Sequence, residues 1–193
     1  MSQHLKLSDK EGKILLKVAR RAIEQRLFGK SNQDISEEDL NKEIFQEKRG
    51  VFVTLNKRGQ LRGCIGHIQP ILPLIKGVEE NAINAAFNDP RFPPLSKAEY
   101  PEIKIEVSVL TNPTSLYFNG YQDLLDKLIP HKHGVILKKG IYQATFLPQV
   151  WEQLSEKKEF LTHLSMKAGL PPNGWMDDDI DVFIYEVQAF EEE

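Results

Sequence analysis

Residues 50–68 read GVFVTLNKRGQLRGCIGHI. A β-rich run occupies 50–55, the turn-forming NKRGQ follows at 56–60, and a second apolar run starts at 61. That is the pattern of a β-hairpin. It sets the period of the middle of the chain at two rather than 3.6. Residues two apart in a strand share a face. Arg62, Cys64 and Gly66 are therefore expected on one face, and Leu61, Gly63, Ile65 and His67 on the other.

Upstream of the hairpin the period is helical. Ser8 and Glu11 form a capping-box pattern. Ile14, Leu15, Val18, Ala19, Ala22 and Ile23 then recur at helical spacing, which predicts a helix over 9–28 ended by Gly29. Ser36 with three following acids opens a short second helix. Downstream, Pro70 and Pro73 stop the strand, and Leu74, Ile75, Val78, Ala82, Ala85 and Ala86 predict a long helix to about Asn88. Asn81, Asn84 and Asn88 fall on one stripe of it, which could line a cleft but is more often the wet face of such a helix. NDPRFPPLS (88–96) has three prolines and reads as a stiff, extended connector.

IKIEVSVL (103–110) alternates, with Ile103, Ile105, Val107 and Val109 inward. A short helix is expected over 121–128, a hairpin over 134–148 turning at Lys139–Gly140, and helical pieces at 149–155 and 157–168. PPNGWMDDD (171–179) reads as loop. IDVFIYEVQAF (180–190) reads as one central strand, with frayed glutamates after it. The fold class is α+β, a mainly antiparallel sheet flanked by helices. No linker interrupts it, so residues 1–193 read as one domain; if it has two lobes, they share the chain without a flexible tether.

The chain has 193 residues, 25 basic against 28 acidic, and net charge −3. A duplex-binding protein usually carries a basic surplus, so the balance argues against nucleic acid. One cysteine cannot form an intramolecular disulfide, a Cys-rich zinc site or an iron–sulfur cluster. The N-terminal MSQHLKLSDKEGK lacks the apolar core of a leader, and no apolar run is long enough to span a bilayer. The expected location is the cytoplasm, with no membrane partner, no cofactor and no metal.

The only cysteine, Cys64, is the candidate nucleophile. A guanidinium at Arg62 beside it would favour thiolate, and Gly66 would leave room over the thiol for a ligand. Gly63 suits a bulge or a close backbone approach. The plain alternative is a small packed thiol among glycines that fit a crowded crossing. His67 could serve as a base only if a bulge at Gly66 brought it round. His133, in HKHG, is a second candidate for the catalytic set. Arg91, stiffened by Pro90, Pro93 and Pro94, suits a grip on a carboxylate or phosphate, or else an internal pair with Asp89. Trp151 and Trp175 read as packing anchors. There is no P-loop, GxGxxG or GxSxG motif.

GVFVTL…LRGCIGHI, NDPRFPPLSKAEYP, IEVSVLTNPT and HGVILKKG…ATFLPQVW, in that order, resemble the AMMECR family over about residues 12–190. FLTHLSMKAGLPPNGW (160–175) resembles its microbial branch, AmmeMemoRadiSam system protein A. Ser165 stands where that pattern often has a cysteine. The resemblance implies an AMMECR-like fold of a larger and a smaller lobe, with the LRGCIG motif near the cleft between them. It implies work beside a Memo-type protein and a radical SAM protein. The expected function is to bind an anionic small molecule or a peptide segment at LRGCIG/RFPP through Arg62, Gly63, Gly66, His67 and Arg91, with Cys64 and His133 carrying any chemistry. The alternatives are a non-catalytic protein-interaction module and a nucleic-acid-associated regulator.

Overall fold

A computed structural model of the chain describes residues 6–193. The first five residues, part of the stretch read for a leader, lie outside it. The described chain divides into two compact units, residues 6–112 with 188–193, and residues 113–187.

The first unit begins with α1, Asp9–Phe28, closed at its N-terminus by the Ser8–Glu11 capping box and at its C-terminus by Gly29 in the left-handed region. Two single-turn helices follow, α2 (Glu37–Leu40), capped by Ser36, and α3 (Glu43–Gln46). The hairpin is β1 (Val51–Lys57) and β2 (Gln60–His67). Its turn is confined to Arg58 and Gly59, both at positive φ, so the loop is shorter than the NKRGQ run suggests. The long helix is α4, Leu74–Phe87, with Pro73 at its N-cap. β3 is Ile103–Leu110.

The sheet order is β2-β1-β3-β8, where β8 is Val187–Glu191. β1 is antiparallel to both β2 and β3. Helices α1 and α4 pack on each other, α4 also against β1 and β2, and α1 against β3. Val51, Val53 and Leu55 of β1 and Ile105 and Val107 of β3 meet Leu15, Val18, Ala19, Ile23, Val78 and Ala82 in one core. Burying each of the Val, Leu and Ile side chains contributes roughly 1.5–3 kcal/mol.

The second unit holds β4 (Thr114–Ser115), α5 (Gly120–Lys127), β5 (Gly134–Lys139), β6 (Tyr142–Phe146), α6 (Lys157–Lys167) and β7 (Asp181–Tyr185). Its sheet order is β4-β7-β5-β6. The β5–β6 loop is Gly140–Ile141, one residue later than expected, because Lys139 pairs with Tyr142 and Gly140 takes the positive φ. Trp151 stacks on Phe160 with centroids 3.6 Å apart, and Trp151 and Trp175 are both buried in this unit's core. They are the packing anchors their size suggests.

Two expectations fail at the C-terminus. IDVFIYEVQAF is not one strand. It breaks at Glu186 into β7, internal to the second sheet, and β8, in the first. The apolar residues on both faces arise because two short strands serve two cores. The final glutamates are not all frayed: Glu192 forms a short ion pair with Arg20 and accepts the Ile105 N–H at 2.9 Å.

Candidate functional site

β2 is the edge strand of the first sheet, and LRGCIGH lies entirely within it. Its pairing with β1 runs in register from Val51↔His67 to Leu55↔Gly63, then slips to Asn56↔Leu61. Arg62 is the extra residue of a bulge. Gly63, Ile65 and His67 therefore lie on the helix-covered face opposite Leu55, Val53 and Val51, and Cys64 and Gly66 on the other face opposite Thr54 and Phe52. The bulge resets the alternation, so Leu61 moves to the face of Cys64, contrary to the strict period-two reading.

Arg62 is buried and turned away to the connector after α4. Its Nε donates to Glu99 Oε1 at 3.0 Å, and its Nη2 to Glu99 Oε2 at 3.2 Å and to the Pro93 carbonyl at 2.8 Å. Glu99 also takes Lys57 Nζ at 3.2 Å. The Arg62 bond holds its carboxyl well below the usual range. The expected guanidinium beside the thiol is thus engaged elsewhere. The cation against Cys64 is Arg91, whose Nη2 donates to the Cys64 carbonyl at 3.1 Å.

Asp89 is the residue that organises this arrangement. Its buried carboxylate accepts the Cys64 N–H at 2.9 Å and grips Arg91 through Nε at 2.9 Å and Nη2 at 2.7 Å. Those Arg91 bonds are the main reason its carboxyl stays far below the usual range, with the Cys64 and Arg91 backbone N–H groups adding to them. The Arg91 side chain is 54% exposed beyond that pair. Both Arg62 and Arg91 lie over the Phe92 ring, 5.7 and 5.6 Å from its centroid.

The glycines have steric reasons. A Cβ on Gly63 would stand 2.2 Å from the Ala85 carbonyl oxygen, so α4 backbone touches the strand there. A Cβ on Gly66 would stand 2.3 Å from the Phe52 ring. The room expected over Gly66 for a ligand is filled by Phe52. Cys64 is partly buried, and its Sγ accepts the Thr54 hydroxyl at 3.3 Å.

His67 stays on the inner face, with no bulge at Gly66 to turn it. Its Nδ1 is 3.1 Å from Asn81 Nδ2, and burial pushes its pKa down. Asn81 is itself buried and donates to the Val51 carbonyl at 3.2 Å, so this end of the asparagine stripe is not wet. His133 belongs to the second unit. Its Nδ1 accepts the Ile129 N–H at 3.2 Å and its carbonyl accepts Trp151 Nε1 at 2.7 Å. The first bond closes the 129–133 loop and the second anchors its end to Trp151, and burial lowers the ring's pKa. Among the described residues no group of three His, Cys, Asp or Glu side chains is placed to hold a metal, and no helix is long and apolar enough to cross a membrane.

The AMMECR1 family model matches residues 16–190. The chain belongs to the AMMECR1 family. Among curated relatives, protein MK0488 of Methanopyrus kandleri is 43% identical, covering 97% of this chain and 91% of that protein. A protein of Methanothermobacter thermautotrophicus is also 43% identical, covering 97% of each. The crystal structure of uncharacterized protein PH0010 from Pyrococcus horikoshii matches with a TM-score of 0.82 at 39% identity, over 98% of this chain and 95% of that one. The α+β fold with antiparallel sheets is thus the AMMECR1 fold.

Sequence reasoning singled out Arg62, Gly63, Cys64, Gly66, His67 and Arg91, which lie in one unit, but it missed the two carboxylates that join them. Glu99 had a signal: SKAE (96–99) is a capping-box pattern, and Ser96 and Glu99 do bond reciprocally. Asp89 had a weaker one, an acid in a proline-stiffened Asp-Pro-Arg run that marks it only as a partner for Arg91.

Proposed function

We propose that this AMMECR1-family protein is a binding module, and that LRGCIG with RFPP forms a rigid recognition surface for a protein partner rather than a reaction centre. One observation carries this reading: the charged groups of the motif are engaged within the chain. Arg62 is held by Glu99, and Arg91 by Asp89. A thiol needs a base or an uncommitted cation to become a strong nucleophile. Cys64 has neither close by: His67 is on the other face of the sheet.

Pre-organised surfaces lose less entropy on binding, which is what such internal bonding provides. The motif resemblance makes a Memo-type protein and a radical SAM protein the first partners to test. The test is titration of a purified Memo-type protein into wild type, Arg91→Ala and Cys64→Ala, by calorimetry. The module reading expects binding that survives Cys64→Ala and weakens with Arg91→Ala. Loss of binding with Cys64→Ala alone would point to chemistry or attachment at the thiol.

A second reading has one observation in its favour. The half-exposed Arg91 guanidinium, against Cys64, still presents an outer edge. An anionic small molecule or peptide carboxylate could pair there, with Cys64 as nucleophile or attachment point.

A further inference from the structure

Asparagine followed by glycine occurs twice in the chain, at Asn119–Gly120 and at Asn173–Gly174. Such a pair is chemically labile. The glycine backbone nitrogen can attack the asparagine side-chain amide, because no Cβ on glycine obstructs the approach. The attack needs a reachable side chain, a glycine N–H that is not already bonded, and room to turn the peptide. The two pairs differ in these respects.

Asn119 and Gly120 are both exposed. Asn119 is the N-cap of α5, its backbone is extended and its side chain makes no capping bond. Gly120 is the first residue of that helix, a position whose N–H has no acceptor inside a helix. None of the described residues accepts it from outside either. A Cβ built on Gly120 meets nothing within 4 Å, so the space around it is open. The Asn119 N–H reaches Asp123 Oδ2 at 2.8 Å, an exposed contact that water can replace. Attack by the Gly120 nitrogen thus turns the chain at Asn119, outside the helix.

At the second pair Asn173 is exposed, but Gly174 is buried. The Gly174 N–H donates to the Pro171 carbonyl at 2.9 Å, and the Asn173 carbonyl accepts the Met176 N–H at 2.9 Å. Both ends of that peptide group are pinned. A Cβ on Gly174 would stand 3.1 Å from the Leu170 Cβ, so the surroundings are also tight.

We infer that Asn119 is a site of spontaneous deamidation in the folded protein, and that Asn173 is protected from it. The Gly120 nitrogen bonds to Asn119 Cγ, the Cγ–Nδ2 bond breaks, and ammonia leaves with the proton that Gly120 carried. Water then opens the cyclic imide at one of its two carbonyls. The product is aspartate or isoaspartate, with one water consumed and one ammonia released. The new carboxylate stands at the N-terminus of α5, where the helix dipole favours it. The isoaspartyl form adds a methylene to the main chain at the cap. Its carboxylate is the chemical group that S-adenosylmethionine-dependent isoaspartyl methyltransferases esterify, so the aged chain becomes a substrate of that class of repair enzyme.

Trypsin separates the two pairs. Cleavage after Lys104, Lys127 and Lys167 puts Asn119 in peptide 105–127 and Asn173 in peptide 168–193. Asn112, also in the first peptide, precedes Pro113, whose nitrogen has no proton and cannot close the ring. The full chain is held folded at neutral and at mildly alkaline pH, and both peptides are followed by mass. The expected result is the mass gain of an amide-to-acid change in 105–127, faster at alkaline pH because the glycine nitrogen attacks deprotonated. It should run ahead of 168–193 by about tenfold or more, roughly 1.4 kcal/mol of barrier. Part of the product should accept a labelled methyl group from S-adenosylmethionine and an isoaspartyl methyltransferase. In guanidinium chloride the two peptides should react at similar rates, and Asn119→Gln should abolish the change in 105–127. The inference is overturned if 105–127 stays unmodified in the folded protein while the unfolded chain reacts. Equal rates for the two peptides in the folded protein, a product without isoaspartate, or modification that persists in Asn119→Gln overturn it as well.

Discussion

A methyl group at Gly63 would lie 2.2 Å from the Ala85 carbonyl oxygen, closer than any real contact. Helix α4 or strand β2 would have to move, and overpacking of this kind costs about 1–3 kcal/mol or more. Gly63→Ala should therefore lower the melting temperature clearly, measured by circular dichroism. Ser165 supplies the opposite case. Its hydroxyl is fully buried without a hydrogen-bond partner, so the chain bears a desolvation cost with no return. Ser165→Ala should leave the melting temperature unchanged or raise it; a drop of several degrees would show that the hydroxyl has a partner. At this scale the sequence was informative about backbone and poor about charge. Alternation placed His67 away from Cys64. Nothing in the local pattern could reveal that Arg62 would bulge out toward Glu99, since that pair is 37 residues apart.

Among the elements, the connector after α4 does the least conventional work. It runs beside the free edge of β2, with Asp89 at Cys64 and Pro93 at Arg62. Prolines 90, 93 and 94 lack an N–H, so this segment cannot form a regular ladder. Side chains replace it: the Asp89 carboxylate takes the Cys64 N–H and the Arg91 guanidinium caps the Cys64 carbonyl. The edge is thereby covered without a fifth strand. Asp89→Ala would leave that N–H and the Arg91 charge unpaired and should cost about 2–4 kcal/mol, measured by urea unfolding. Exposure of the edge should also raise self-association, seen by analytical ultracentrifugation. The stiffness of the segment was legible from its prolines. Its role at the edge was not, because that depends on the sheet order.

The same element, with the end of α1, makes the fold sensitive to acid. Asp89 and Glu99 are held far below the usual carboxylate range, chiefly by Arg91 and Arg62. Burial opposes the charge on Glu24, but hydrogen bonds from Ser31, Tyr100, Gln33 and Asn32 outweigh it and bring its pKa to about 2. A carboxyl whose folded pKa is depressed stabilises the fold fully above its unfolded value of about 4. That stability is lost as pH falls through the unfolded value toward the folded one. The melting temperature should therefore drop steadily from about pH 5 toward pH 2, and more gently in Glu24→Gln and Asp89→Asn. Parallel curves for wild type and both variants would contradict this.

Over the whole molecule, the chain leaves the first unit at Asn112 and returns at Gln188. Residues 113–187 carry their own sheet and a core built on Trp151, Phe160 and Trp175. A fragment of those residues should fold cooperatively by itself, with a sigmoidal melt by tryptophan fluorescence. Conversely, removing residues 188–193 deletes β8 and the Arg20–Glu192 pair, and should destabilise the first unit. The α+β class was readable from the change of period along the chain, and a second lobe only from the resemblance of its motifs to a family. The shared last segment was not, because two strands in two sheets look like one strand when only hydrophobicity is read.

The central claim is that the LRGCIG strand recognises a partner and does not perform chemistry. Cys64 is the only thiol, so its reaction with iodoacetamide, followed by intact mass from pH 6 to 9, gives an unambiguous test. The account predicts labelling no faster than free cysteine at each pH, with little change in Arg91→Ala. Fast labelling at neutral pH that collapses in Arg91→Ala would contradict it and make Cys64 an activated nucleophile.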